Sequence, residues 1–140
     1  GDGDFGSCIN LARYSLSRIS FFWYLDKDDL YNLYQISDLG ILPSFHEQSS
    51  YTMIEMMMFC LPIVITDSTA LNEVEVSHEM KINIKYKKRD ASIEINKIKD
   101  AIIYAINNKE INKVKYMMRE TYIKKYSNVN LSKIRDLYNF

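Results

Sequence analysis

Apolar runs alternate with helical patterns along the first half of the chain. Residues 7–18 and 28–34 place apolar side chains at helical spacing. Residues 19–25 form an aromatic, β-prone run without a turn residue, which predicts a strand near residues 19–24. Two continuous apolar runs, residues 39–42 and 62–66, predict short buried strands on either side of a further helix. Parallel strands need helical crossovers, so this order predicts an α/β fold, a three-layer Rossmann-like parallel sheet with flanking helices.

Helical periodicity dominates the second half of the chain. Residues 81–86 have the composition of one more strand. A regular apolar stripe then runs from Ile98 to Ile106, and further helical patterns cover residues 111–122 and 131–138. We therefore expect helices from about residue 91 to residue 140, within a single domain that spans residues 1–140.

Polar residues between the apolar runs predict where the helices begin. Asp26 or Asp28 can cap the second helix. Thr52 and Glu55 have the spacing of a capping box at the start of the third. That third helix contains a cluster of methionines, which we interpret as flexible core filler rather than as metal ligands. The cluster comprises Met53, Met56, Met57 and Met58.

Composition excludes several classes of protein. With 47% apolar residues, 4 Gly and 2 Pro among 140 residues, the chain is neither disordered nor fibrous. No apolar stretch approaches the roughly 18 residues that a membrane span needs, and no signal peptide is recognised at the N-terminus. Cys8 and Cys60 lie far apart and Cys60 falls within an apolar run, so we expect a buried thiol and a cytoplasmic protein.

The net charge of zero conceals two halves of opposite sign. Residues 1–80 carry 3 Lys+Arg against 12 Asp+Glu, whereas residues 81–140 carry 15 against 6. The basic residues are spread along helical faces, with no run longer than Lys87-Lys88-Arg89. We therefore expect solvated helix surfaces, or a face turned towards the acidic half or a further domain, and no nucleic-acid binding.

The most informative segment joins the strand predicted at residues 39–42 to the helix that follows it. Glu47 lies in this loop, at the end of the sheet where α/β proteins bind ligands, and Glu55 lies in the first turns of the helix. A helix N-terminus between two carboxylates suits a phosphate flanked by sugars, because its free N–H groups bind anions and carboxylates accept hydrogen bonds from hydroxyls. The alternative is purely structural, with Glu55 in the capping box and Glu47 exposed in the loop.

Histidines and an acidic triplet give weaker signals. His46 stands beside Glu47 and either tunes that site or is a packing or surface residue, whereas His78 is expected in solvent. Asp2-Gly3-Asp4 imitates an acidic metal motif but lacks the hydrophobic strand that should precede it, so we expect no metal site.

Several motifs together resemble the signature of family 4 glycosyltransferases, which are retaining enzymes of the GT-B fold with two Rossmann domains. Glu47 and Glu55 are separated by seven residues, as are the two glutamates of that family. The resemblance extends over essentially the whole chain in the family's order. The matching segments are Gly1-Asp2-Gly3, Ile19 to Leu30, Leu33-Tyr34, Ser37-Asp38, Pro-Ser-Phe-His-Glu (43–47), Ile-Glu-Met-Met (54–57), Leu-Pro-Ile-Val-Ile-Thr (61–66) and Asp67 to Glu73.

The resemblance implies a role for individual residues. Glu47 is similar to the catalytic glutamate that contacts the donor sugar, and Glu55 to the glutamate that binds the ribose hydroxyls. Gln48, Ser49, Ser50 and Tyr51 occupy the turn whose backbone amides meet the diphosphate, and Tyr24 and Leu25 match the stretch near the base. The family often has glycine where Ser50 and Trp23 stand, so the approach to the phosphate and the base pocket differ here.

The resemblance also implies substrates and partners. The donor would be a UDP- or GDP-type sugar bound as substrate, without a cofactor, and the pathway glycan or polysaccharide biosynthesis. The chain resembles the later part of a donor-binding domain, so we expect an acceptor-binding domain to precede it, the isolated chain to be inactive, and the intact enzyme to make peripheral contact with a membrane. The alternative is a catalytically silent Rossmann-like module with a regulatory or interaction role, which would need neither Glu47 nor Glu55.

Overall fold

Three parallel strands form the central sheet, in the order β1 (Gly40–Leu42), β2 (Ile63–Thr66) and β3 (Lys81–Ile82). The computed structural model describes residues 5–14, 18–22, 24–46, 50–69, 71–88 and 90–127. Gly40 is paired with Ile63, and Thr66 with Ile82. The helices are α1 (Phe5–Ala12), α2 (Lys27–Ile36), α3 (Tyr51–Met58), α4 (Ile95–Asn107) and α5 (Ile111–Tyr126). Short 3-10 turns cover Leu71–Glu73 and His78–Met80.

The chain divides into two compact units, Gly1–Asn32 and Leu33–Phe140. The first unit contains α1 and the beginning of α2. Asp26 caps α2, because its Oδ1 accepts a hydrogen bond of 2.9 Å from the N–H of Asp29. Of the two aspartates predicted as caps, Asp26 is therefore the one that the structure selects.

One face of the sheet packs against α3 and α5. All four residues of β2 are buried, as expected for a strand covered on both sides. Ile63 and Ile65 share a core with Met53 and Met57 of α3 and with Met118 of α5. The prediction that the methionines of α3 fill the core is confirmed for these two, each at most 2% exposed.

The other face of the sheet packs against α4. Side chains alternate along a strand, so Val64 projects away from its two isoleucine neighbours. It contacts a second core that contains Met80, Ile82 of β3, and Ala101 and Ala105 of α4. Helices thus cover both faces of a parallel sheet, which confirms the predicted three-layer α/β architecture.

The side chain of Met56, on α3, lies against Gly40 of β1. A Cβ added at Gly40 would stand 2.6 Å from the Sδ atom of Met56 and 3.4 Å from a methyl group of Leu61. A side chain at this position would require Met56 to move, so glycine leaves room for the methionine side chain. The contact between β1 and α3 at this point is therefore made by the Met56 side chain.

β1 and β2 confirm the strands predicted at residues 39–42 and 62–66, but the strand predicted at residues 19–24 is wrong. The residues described there, 19–22 and 24, belong to neither helix nor strand. Aromatic residues favour strands only where a neighbouring strand and burial reward them. Phe22 and Tyr24 are 55% and 81% exposed, so this run lacks the burial that the prediction assumed.

The strand predicted at residues 81–86 is divided in two. β3 covers only its first two residues, because the next residue that could continue the ladder, Ile84, donates its N–H to the carboxylate of Asp67 instead. β4 (Lys85–Lys87) then pairs antiparallel with β5 (Asp90–Ser92) in a separate hairpin. Lys88, in the turn between them, has a φ of 50°.

α4 and α5 confirm the helices predicted at residues 98–106 and 111–122. The last predicted helix, residues 131–138, lies outside the described residues, as does the Asp2-Gly3-Asp4 triplet. Within the part of the chain that the structure describes, no helix is both long and apolar enough to cross a membrane.

A Schellman motif ends α3. The N–H of Leu61 donates to the carbonyl of Met56 at 3.0 Å, and the N–H of Cys60 donates to the carbonyl of Met57 at 3.1 Å. Cys60 has a φ of 58°, in the left-handed region where this motif usually places glycine. The thiol predicted to be buried is only half-buried, because it lies at the exposed end of the helix rather than inside it.

Replacing Cys60 with glycine should stabilise the protein. The left-handed conformation costs a residue with a Cβ about 1 kcal/mol, and Cys60→Gly removes that cost. Cys60→Ala keeps the Cβ and is the matched control. We expect the urea midpoint of Cys60→Gly to exceed that of Cys60→Ala. Equal midpoints would show that the left-handed backbone conformation at residue 60 is not strained.

Candidate functional site

Hydrogen bonds at the carboxyl edge of the sheet tie together the loops that follow its three strands. The hydroxyl of Thr66, at the end of β2, donates to the carbonyl of Ser44 in the loop after β1. The next residue, Asp67, donates its N–H to the carbonyl of Ile82 at 3.0 Å and accepts the N–H of Ile84 on Oδ1 at 2.8 Å. In open α/β sheets this edge is where ligands bind, so its loops are fixed where a ligand would meet them.

Lys81 holds the loop that follows β2. Its Nζ donates to the carbonyl of Asn72 at 3.2 Å, to the side-chain oxygen of Asn72 at 3.1 Å and to the carbonyl of Val74 at 3.4 Å. An ammonium group has three N–H bonds, so these three acceptors account for all of them. Lys81 therefore fixes the end of the loop that follows β2, residues 67–73, through these three hydrogen bonds.

The N-terminus of α3 lies at the end of the loop after β1. Ser50 is the N-cap, and its hydroxyl accepts a hydrogen bond of 3.2 Å from the N–H of Met53. The capping box predicted for Thr52 is wrong, because the helix begins two residues earlier and Thr52 lies inside it. Among the described residues, the N–H groups of Tyr51 and Thr52 have no acceptor, so they are available to an anion.

Glu55 does not fold back on the start of the helix. Its Oε2 is 3.4 Å from the hydroxyl of Tyr34, which is 6% exposed and comes from α2. The ring of Tyr34 packs on Phe59 with centroids 5.9 Å apart. The capping role predicted for Glu55 is therefore replaced by a contact with a residue 21 positions earlier in the chain.

The C-terminus of α3 is fixed as firmly as its N-terminus. The last four carbonyl groups of a helix lack partners within it. In α3 the carbonyl of Glu55 accepts from Phe59, and the next two accept within the Schellman motif. The carbonyl of Met58 accepts from Arg119 of α5 at 2.6 Å, and that guanidinium also lies over the ring of Tyr122. All four carbonyls are therefore satisfied.

The structure places the predicted site residues in different parts of the chain. It brings together Ser50, the N-cap of α3, and Tyr51 and Glu55 in the helix, with Ser50 buried and Tyr51 75% exposed. Glu47, Gln48 and Ser49 lie outside the described residues. In the first unit, Tyr24 is 81% exposed and Leu25 is half-buried. His46 and His78 are both exposed, which confirms the expectation for His78.

Four residues that support this region were not predicted as functional: Tyr34, Asp67, Lys81 and Arg119. Tyr34 and Asp67 fall within the segments that resemble the glycosyltransferase family, and this was the only available signal for them. Lys81 and Arg119 act across 9 and 61 residues of sequence, respectively, so local spacing contains no trace of their contacts.

A separate groove of about 480 Å³ lies between α4 and the residues around β3. Its lining includes His78, Glu79, Lys97 and Asp100, and none of the predicted donor-binding residues. Lys85 and Glu94 form an ion pair in the wall of this groove. The hydrogen bond from Lys85 is the main cause that lowers the pKa of the Glu94 carboxyl, and the positive charge of Lys85 is the second. The mixture of charges favours no single class of ligand.

The basic half of the chain behaves as a solvated surface. α4 and α5 pack through Ala101, Ala105 and Met118, while most of their lysines are exposed, which confirms the predicted arrangement. The exposed lysines of the two helices are Lys97, Lys99, Lys113, Lys124 and Lys125. In the described ranges, no group of three or more His, Cys, Asp or Glu side chains is arranged to hold a metal ion.

Removing the cap of α3 should destabilise the protein. Ser50→Ala leaves the N–H of Met53 without its acceptor in a buried position, and we expect a loss of about 1 kcal/mol. Ser50→Asp should retain most of the stability. Thr52→Ala is the discriminating control, because it would be the costlier change if Thr52 were the cap. Urea denaturation of the three variants measures the difference.

Comparison with known proteins identifies the family of the chain. A search of curated proteins and a search of solved structures gave no significant match. The family profile described as "Glycosyl transferases group 1" matches residues 10–124, which include α2 to α4, the three strands of the sheet and most of α5. The match covers much more than half of the chain and includes Ser50, Tyr51 and Glu55. The chain therefore belongs to the group 1 glycosyl transferases.

Proposed function

We propose that this chain forms the donor-binding part of a retaining, family 4-type glycosyltransferase of the GT-B fold. The enzyme would transfer a sugar from a UDP- or GDP-type nucleotide sugar to an acceptor held by a further Rossmann-like domain. One observation carries the proposal: the group 1 match includes a firmly capped helix that begins at the carboxyl edge of a parallel sheet and bears Glu55. This is where an α/β protein binds a phosphorylated ligand.

The diphosphate would bind at the start of α3. The N–H groups of Tyr51 and Thr52 have no acceptor among the described residues, and the helix dipole adds partial positive charge at this end. Ser50 contributes its position in the turn rather than its hydroxyl, which already accepts from Met53. Gln48 and Ser49 are proposed to continue the same turn. Fixed amides of this kind stabilise the charge that develops on a leaving diphosphate.

The two glutamates would hold the sugars on either side of the diphosphate. Glu55 is half-buried and lies one turn beyond Tyr51, so a ribose next to the bound phosphates would meet its carboxylate. Glu47 is proposed as the catalytic residue that contacts the transferred sugar, and Tyr24 and Leu25 as neighbours of the base. The protein's contribution is then chiefly to position the donor and to stabilise its leaving group.

We also propose the cellular setting. The described cysteines, Cys8 and Cys60, are both free thiols, which is consistent with the reducing conditions of the cytoplasm. We place the reaction in glycan or polysaccharide biosynthesis, with a nucleotide sugar as substrate, no cofactor, and the intact enzyme in peripheral contact with a membrane.

Substitution of the two glutamates should separate their roles in the full-length enzyme. Glu55→Gln removes a charged acceptor of the ribose hydroxyls and should weaken binding of UDP or GDP by about 1.5 to 3 kcal/mol, measured by calorimetry. Glu47→Gln should mainly lower the rate of sugar transfer, because it disturbs the reacting sugar.

Glu120→Gln is the matched control for both variants. Glu120 lies on α5, where it accepts from Tyr116 and pairs with Lys124, so its loss should alter neither binding nor rate. Wild-type transfer rates in both Glu47→Gln and Glu55→Gln would refute the site and favour a catalytically silent module.

A further inference from the structure

We infer that Tyr34 is a positioning residue that orients the carboxylate of Glu55, and that its hydroxyl thereby sets the preference of the enzyme for nucleotides with an intact ribose. The inference rests on the proposed function, because it assigns a specificity determinant to the same site. It starts from the contact between the hydroxyl of Tyr34 and Oε2 of Glu55, at 3.4 Å.

Burial and ring packing hold the side chain of Tyr34 in place. It is 6% exposed, and its ring lies against Phe59 at an interplanar angle of 42°. Phe59 is the C-cap of α3 and follows Glu55 by four residues, so the two side chains lie on the same side of the helix end. The ring of Tyr34 therefore packs on one of them while its hydroxyl reaches the other. Because the ring is buried, the hydroxyl is held within reach of Glu55.

Orientation is the main freedom that Glu55 retains. Both ends of α3 are capped, and the carbonyl of Glu55 accepts the N–H of Phe59, so the backbone at this residue is fixed. A half-buried glutamate side chain can still rotate about three bonds, and ordering a side chain of this type on binding costs free energy. A tyrosine that already holds one carboxylate oxygen reduces that cost before the nucleotide arrives.

The contact leaves enough acceptor capacity for a ribose. An ionised carboxylate has about four lone-pair sites on its two oxygens, and the phenol uses one of them. The remaining sites can accept from two adjacent hydroxyl groups. A site arranged in this way rejects an analogue that lacks the hydroxyls, because the carboxylate is then left without its partners. Without the phenol, the carboxylate would bind a ribose less firmly and discriminate less.

The test compares nucleotides with and without ribose hydroxyls in the full-length enzyme. Calorimetry gives Kd for UDP and 2′,3′-dideoxy-UDP, and for GDP and its dideoxy analogue. The base that binds more tightly is used for the variants. The discrimination ratio is the Kd of the dideoxy nucleotide divided by the Kd of the ribose nucleotide. We expect Tyr34→Phe to lower this ratio by about three- to tenfold, the range for one lost hydrogen bond. Donor KM should rise with kcat almost unchanged, because uniform binding is lost.

Tyr116→Phe is the matched control. Tyr116 donates to Glu120 at 3.1 Å on the exposed side of α5, so this variant also loses a tyrosine–glutamate hydrogen bond, but away from the site. Its Kd ratio should equal that of the wild type. In the Glu55→Gln background, Tyr34→Phe should have a smaller effect than in the wild type, because the two side chains act as one unit.

The outcomes separate this inference from the proposed function. A wild-type enzyme that does not discriminate between the ribose and dideoxy nucleotides refutes the role of Glu55, and the inference with it. A wild type that discriminates, with Tyr34→Phe equal to it, overturns the inference alone. Should Tyr34→Phe fail to fold, Phe59→Leu carries the same expectation, because it keeps the phenol and removes the ring that holds it.

Discussion

The capping of α3 is the constraint on which the candidate site depends. A helix of eight residues is not stable in isolation, because helix formation has a costly nucleus that short lengths do not repay. Here the hydroxyl of Ser50 closes the first turn, a Schellman motif and Arg119 satisfy the last carbonyls, and Met53 and Met57 anchor the buried side. The N–H groups of Tyr51 and Thr52 at the start of α3 are held in place because the rest of the helix is held in place.

The same principle extends to the sheet edge. Thr66 and Asp67 are adjacent in sequence, yet one hydrogen-bonds to the loop after β1 and the other to the segment after β3. The central strand therefore aligns both of its neighbours through two consecutive side chains. The hydrogen bond from Lys81 of β3 to Asn72 continues this arrangement. In this way the site region is ordered by polar contacts above a core that is almost entirely apolar.

Much of the fold was predictable from periodicity, because continuous apolar runs mark strands that are buried on both faces. The strand prediction was wrong at residues 19–24, where strand propensity depends on a partner that local sequence does not specify. The start of α3 was misplaced by two residues because serine and threonine are both good caps and only the backbone distinguishes Ser50 from Thr52. The contact of Glu55 with Tyr34 joins two helices, and no local pattern contains it. The resemblance to glycosyltransferases led to the group 1 family that the profile match shows. The roles of all the predicted site residues, Glu55 as well as Glu47, stay predictions.

The half-buried thiol at the end of α3 has a practical consequence. Cys60 lies within the hydrogen-bonded turn that closes the helix and its thiol is half-buried there, so opening of that turn should speed its reaction with a thiol reagent. The rate of alkylation of this sulfur then reports the local opening of the helix on which the site is built. A native cysteine thus provides a chemical probe of the dynamics of α3, and no label has to be introduced.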